Sequence, residues 1–227
     1  MNTPQDPSRR TLFAAALLPG LERLLDAFTV RSSSWDDWFH AARLDDVARC
    51  RSLIARGFDV NTLEADRFDT ALIIAVRERS AKVFRLLIDT PGINVDARSR
   101  NGDTALMVAA FLPDAVAVQA LLERGAEVNR PGWAPLHYAA SAGSILVIRV
   151  LLDHDAYIDA ESPNKTTPLM MAARAGRREA VQYLLDEGAD LSLKNDAGLN
   201  ASDFARAQGH VDIAAALDAR LQQAVRP

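Results

Sequence analysis

The sequence predicts an all-α solenoid: about six helix-turn-helix units in a row, with short turn fingers and two modified end units. Three observations carry that expectation. The stretch WAPLHYAASAGSILVIRVLL, Trp133 to Leu152, returns 33 residues later as TTPLMMAARAGRREAVQYLL, Thr166 to Leu185. Aligned helix starts at Trp38, Leu72, Leu106, Leu136, Leu169 and Ser202 give steps of 34, 34, 30, 33 and 33. Each copy carries small residues in a first helix and bulkier apolar ones in a second, at spacings that share one face. Self-similarity at this period marks a solenoid, in which a unit cannot bury its apolar face alone and its neighbours bury it instead.

The bulk numbers agree with a folded body. The chain has 227 residues, 49% of them hydrophobic, on the scale of one or two domains. Lys and Arg number 26 against 30 Asp and Glu, so the formal charge is −4, with a pI near 5.6. That balance lacks the dense basic surface of a nucleic-acid binder. The single cysteine, Cys50, cannot close an intrachain disulfide and reads as a small buried hydrophobe. No apolar run approaches the roughly 18–20 residues of a membrane-spanning helix, so no transmembrane segment is expected.

In chain order, residues 1–30 come first. Met1 to Ser8 is polar, with Pro4 and Pro7. Ser8-Arg9-Arg10-Thr11-Leu12-Phe13, followed by AAALLPGL, resembles a twin-arginine export signal, which implies an exported or periplasmic protein. Glu22 and Arg23 interrupt its apolar run, and no clear small-x-small cleavage site follows. The alternative is an amphipathic helix, since Phe13, Leu17, Leu21, Leu24, Leu25 and Phe28 recur at helical spacing; the protein would then be cytoplasmic. Residues 31–34 read as a linker. The units follow at 35–63, 64–96, 97–129, 130–159, 160–193 and 194–221, and residues 222–227 form a tail.

Each piece of a unit has a mechanical reason. Thr70, Thr104 and Thr167 stand where a side-chain oxygen can cap the first helix. Pro135 and Pro168 follow in the first turn, where a missing N–H costs nothing. Ala109-Ala110, Ala139-Ala140 and Ala172-Ala173 are small enough for first helices to pack closely. Val147, Val150, Leu151 and Leu152, with Val181, Leu184 and Leu185, give the second helices an inner face. Gly125 and Gly188 end second helices, where a left-handed backbone favours glycine. The end units differ because each has a face without a neighbour. The first carries Trp35-Asp36-Asp37-Trp38-Phe39, and the last Asn200-Ala201-Ser202-Asp203-Phe204-Ala205.

The segments Ala134-Pro135-Leu136-His137-Tyr138-Ala139-Ala140, Thr167-Pro168-Leu169-Met170-Met171-Ala172-Ala173 and Gly125-Ala126-Glu127-Val128-Asn129 resemble ankyrin repeats, over about Trp35 to Leu221. The chain is most similar to small bacterial ankyrin proteins with an export signal and a PGWxPLHYAA centre, here Pro131 to Ala140. The resemblance implies that His137 ties neighbouring turns together by hydrogen bonds. It also implies that partners meet the turn tips and the exposed face of the first helices, which line a concave groove.

Three departures from the repeat stand out. The fourth unit has lost three residues between Asn129 and Trp133, leaving Arg130-Pro131-Gly132 as its turn. The second and fifth carry Phe68 and Lys165 where glycine is preferred, and a positive φ there would strain both. The third has Pro113 in place of the inter-helix glycine.

Enzyme chemistry needs converging groups. His40, His137, His154 and His210 lie in separate repeats. No His-x-x-x-His or Cys-x-x-Cys pair offers metal spacing, and neither a phosphate-binding loop nor a nucleophile elbow occurs. No metal or cofactor is expected. The groove positions that follow each Ala-Ala, or its equivalent, include Arg43, Arg77, Glu78, Phe111, Leu112 and Arg174; the turn tips add Arg67, Arg100, Arg130, Trp133 and Lys165. Arginine and aromatic anchors dominate many interfaces. These eleven residues point to a monomeric, non-catalytic module for a protein partner with an acidic or mixed segment. The alternatives are an enzyme or small-ligand site among Arg77, Glu78 and Arg174, and a structural protein protecting a periplasmic neighbour.

Overall fold

Among the described residues, ten of the twelve helices are runs of only seven to nine residues, too brief to stand alone in water, so packing must hold them. The computed structural model describes residues 34–224; the leader of residues 1–30 and most of the 31–34 linker lie outside the described residues. First-row helices are α1 (residues 34–43), α3 (Ala71–Arg77), α5 (Ala105–Phe111), α7 (Pro135–Ala142), α9 (Pro168–Arg174) and α11 (Ala201–Ala207). Second-row helices are α2 (Val47–Ala55), α4 (Ala81–Ile88), α6 (Ala115–Glu123), α8 (Ile145–Asp153), α10 (Arg178–Asp186) and α12 (Val211–Ala224). The architecture is an all-α repeat solenoid. The last helix runs three residues past Leu221, so Gln222 to Ala224 are helical rather than tail.

The first row packs tightly because its facing positions are alanines. Ala109, Ala110, Ala139, Ala140, Ala172 and Ala173 are all fully buried, and α5, α7, α9 and α11 pack in that order. In α8 the core is filled by Val147, Ile148 and Leu151, with Val150 and Leu152 only half-buried. Val147 and Leu151 thus lie on the inner face as expected, Ile148 joins them, and Val150 and Leu152 stand at its edge. At the N-terminal end Trp38 is buried against Phe58, and Phe39 meets Trp35 edge-on at 4.9 Å. At the other end the Ser202 hydroxyl and Arg206 both engage Asp218 on α12.

Caps follow the residue types. Thr70, Thr104, Thr167 and Asn200 each accept a backbone N–H three residues on, satisfying an otherwise orphaned donor. Ser80, before α4, makes no side-chain cap. Asp45 of the preceding unit does that work: its Oδ1 accepts from the N–H of Lys82 and Val83 at 2.9 and 2.8 Å. Consecutive units are clasped elsewhere too. Asn61 accepts from the N–H of Asn94, Asp96 from Glu127, Asn129 from Tyr157 and Asp159 from Asp190, all between 2.8 and 3.1 Å.

The inter-helix turns need a positive φ, supplied by Asp45, Arg79, Pro113, Gly143, Gly176 and Gly209. At Gly176 glycine is needed twice over: φ is +67°, and a Cβ would stand 2.5 Å from the His210 ring. Pro113 has φ +23°, against a ring that prefers about −65°. Leu112 before it sits at φ −84°, ψ 15°, a region disfavoured ahead of proline. Beside this turn, α4 and α6 are parted by a cleft of about 770 Å³ walled by Phe84, Ile88 and Ala120.

Candidate partner-binding groove

The fingers between units are hairpin-like loops, closed by bonds such as Ser99 N–H to the Asp103 carbonyl and Ser162 N–H to that of Thr166. Their tips also join sideways. Arg100 N–H donates to the Arg67 carbonyl at 2.7 Å, and Asp196 N–H to that of Asn164 at 3.1 Å. These bonds pair the second finger with the third and the fifth with the sixth. Between them stands the fourth, three residues short, so the row of fingers has a gap. Phe68 and Lys165 occupy the glycine-preferring tip positions with φ 56° and 59°, and the Arg100 guanidinium lies 4.5 Å over the Phe68 ring, a cation–π contact that stabilises the strained tip.

A groove of about 600 Å³ opens at that gap. It brings together six of the residues that the sequence singled out: Arg67, Arg77, Phe111, Leu112, Trp133 and Arg174. Phe111 is 54% exposed and Trp133 37%. Trp133 packs edge-on to His137, with ring centres 5.2 Å apart. A smaller hollow of about 240 Å³, which includes Arg100, shares Arg67, Arg77 and Asp103 with the groove, so the two are continuous.

The other expected contacts fall elsewhere. Arg43, on α1, pairs with Glu64 in the second finger. Glu78 is exposed at the end of α3 but does not line the groove, so a site among Arg77, Glu78 and Arg174 is not assembled. Lys165 is exposed at the fifth fingertip, away from the groove. Arg130 is the clearest correction. Its side chain is only 8% exposed, folded onto Asp96 and Glu127 at 3.4 and 3.3 Å, because a turn this short lays the arginine back along the stack. It is a brace, not a projecting tip.

Three lining residues were missed: Val108, Tyr138 and Met171. The signal was available, since each lies three positions before Phe111, Ser141 or Arg174 and so shares its helix face. The Tyr138 hydroxyl donates to Asp103 Oδ1 at 2.6 Å. Burial and this carboxylate together hold the phenol well above its usual pKa.

The structural residues of the motif are where their chemistry requires. Thr104 and Thr167 cap α5 and α9, Pro135 and Pro168 begin α7 and α9, and Gly125 and Gly188 follow α6 and α10 with φ 87° and 98°. His137 is fully buried. Its Nδ1 lies 3.1 Å from the Ala134 N–H and its Nε2 2.9 Å from the Thr166 carbonyl. The consistent tautomer carries its proton on Nε2, donating to Thr166 in the next unit while Nδ1 accepts from Ala134. Burial lowers the His137 pKa below its ordinary value, and the neighbouring carbonyls only partly oppose that. Among the described residues no group of three His, Cys, Asp or Glu side chains could hold a metal ion, and no helix is long and apolar enough to cross a membrane.

Comparisons with known proteins place this geometry. The profile described as ankyrin repeats matches three overlapping copies, at residues 38–131, 117–195 and 158–218. The chain is 28% identical over 162 residues to human transient receptor potential cation channel subfamily A member 1, covering 66% of this chain and 14% of that one. It is 38% identical over 122 residues to neurogenic locus notch homolog protein 1 of Xenopus tropicalis, 52% of this chain and 5% of that one. With the mouse B-cell lymphoma 3 protein homolog it shares 31% over 151 residues, 63% of this chain and 34% of that one. The match therefore spans only 5% to 34% of these relatives' lengths.

Proposed function

The chain belongs to the ankyrin-repeat family, and from that premise we propose that it is a non-catalytic module that binds a segment of a partner protein in the groove at its fourth unit. Ankyrin repeats are protein-interaction modules. The observation that carries the reading is that exposed Phe111 and Trp133 both line the groove at the gap in the finger row. Exposed aromatics gathered in one concave place are the anchors from which interfaces draw most of their affinity. The groove's chemistry favours binding over turnover. Both His137 nitrogens are held by backbone groups, and the Tyr138 phenol is held protonated beside Asp103. Neither is poised to exchange a proton with a ligand near neutral pH.

The test is site-specific photo-cross-linking from Ser141 in the groove and from exposed Val211 on α12 as a control. The groove probe should capture a discrete product that excess unlabelled protein competes away. Competitors carrying Phe111→Ala or Trp133→Ala should be weaker by about 1–4 kcal/mol each, the range of interface hot spots. Equal capture from both positions, or full competition by both variants, refutes the assignment.

A further inference from the structure

The chemistry of the bound segment can be read from the groove itself, on the premise that the groove binds a partner segment as above. From α3 to α9 its lining runs Arg77, then Val108 and Phe111, then Tyr138 and Ser141, then Met171 and Arg174. Two guanidinium groups flank an apolar middle, and they are not equivalent. Arg77 is paired with Asp69, a carboxylate only 1% exposed, and Arg67 approaches the same carboxylate at 4.0 Å. Asp103 is occupied by the Tyr138 hydroxyl. Arg174 is exposed and makes no ion pair among the described residues. An arginine fork without an acceptor, beside apolar surface, matches a carboxylate in both charge and shape. Ser141 is the smallest side chain in the lining, and it leaves room for a large group against Phe111, Trp133 and Met171.

We propose that the groove selects an extended segment with a large apolar side chain over α7 and an acidic side chain two or three positions away over α9, paired with Arg174. The spacing follows from the stack. Packed helices lie roughly 8–10 Å apart, and an extended chain advances about 3.3 Å per residue.

The test uses two blocked pentapeptides, acetyl-Gly-Leu-Ser-Glu-Gly-amide and its counterpart with Gln for Glu, titrated into the isotope-labelled protein. The Trp133 indole N–H and the Ser141 amide report groove occupancy by NMR. At low salt the Glu peptide should bind about three- to fivefold more tightly, as expected for a partly exposed ion pair. The preference should vanish in Arg174→Gln and fade as salt is raised. Equal affinity of the two peptides in the unmodified protein overturns the carboxylate proposal while the groove reading stands. A preference that persists in Arg174→Gln overturns the assignment to that residue. If neither peptide moves the groove signals at millimolar concentration, both readings fall.

Discussion

Replacing His137 isolates the link between adjacent units. Its two ring contacts are not equal in consequence. The Thr166 carbonyl also accepts from Ser162 N–H at 3.1 Å, so it keeps a partner when the imidazole is removed. The Ala134 N–H, buried at the start of α7, loses its side-chain acceptor. His137→Ala should therefore cost about 1 kcal/mol for the lost Thr166 bond and about 1–3 kcal/mol for the orphaned donor. A total of about 2–4 kcal/mol results before any cavity term. His137→Gln keeps an acceptor at a position from which Gln can reach back to the helix start, and should cost only about 1 kcal/mol. The two variants also separate hydrogen bonding from charge. The native imidazole has a lowered pKa, so below the unfolded-chain value of about 6.5 the unfolded state binds more protons and stability falls with falling pH. From pH 7.5 to 5.5 this contributes a loss of up to about 1.4 kcal/mol in the unmodified protein and none in His137→Gln. Urea unfolding followed by circular dichroism at both pH values measures both effects. A stability difference between the unmodified protein and His137→Gln that does not change with pH would refute the account.

Three further outcomes follow from positions described above. Pro113→Gly should raise the urea midpoint, since releasing a strained φ gains about 1–3 kcal/mol and the added freedom of the unfolded chain costs about 0.4–1 kcal/mol; a lowered midpoint contradicts it. Gly176→Ala should destabilise by at least about 1–2 kcal/mol from its left-handed backbone, with the His210 contact adding to that, and an unchanged melting temperature would count against the close stacking of His210 on Gly176. Cys50 is fully buried, and burial assisted by Asp46 and Asp45 pushes its pKa to about 11. At pH 8 ionisation alone should slow its reaction with a disulfide reagent about 100-fold relative to a free thiol, which unfolding in urea should restore.

What could be read in advance was whatever is local and repeated. Thr104, Pro168 and the paired alanines announce caps, helix starts and close packing through their own chemistry, and the 30-residue step exposes the shortened fourth turn from spacing alone. What could not be read depends on partners from other units. Nothing near Arg77 in the chain marks Asp69 as its buried acceptor, and nothing beside Arg130 shows that it folds onto Asp96. Of the three arginines that line the groove, Arg174 alone is left without an ion pair among the described residues. Nothing beside Asp45 in the chain shows that it caps a helix in the next unit. Val108, Tyr138 and Met171 were within reach, because helix geometry places them on the faces of Phe111, Ser141 and Arg174.

The missing three residues of the fourth finger have a consequence for how such a surface can arise. The helices beneath are untouched: Leu136 and Leu151 remain buried and His137 still reaches Thr166. Only an outlying loop is shorter, and shortening it uncovers Trp133 without disturbing a core position. On the proposed reading, selectivity at this place is governed by loop length as much as by residue identity. Lengthening one surface turn, with every side chain of the groove retained, would roof it over and leave the scaffold intact.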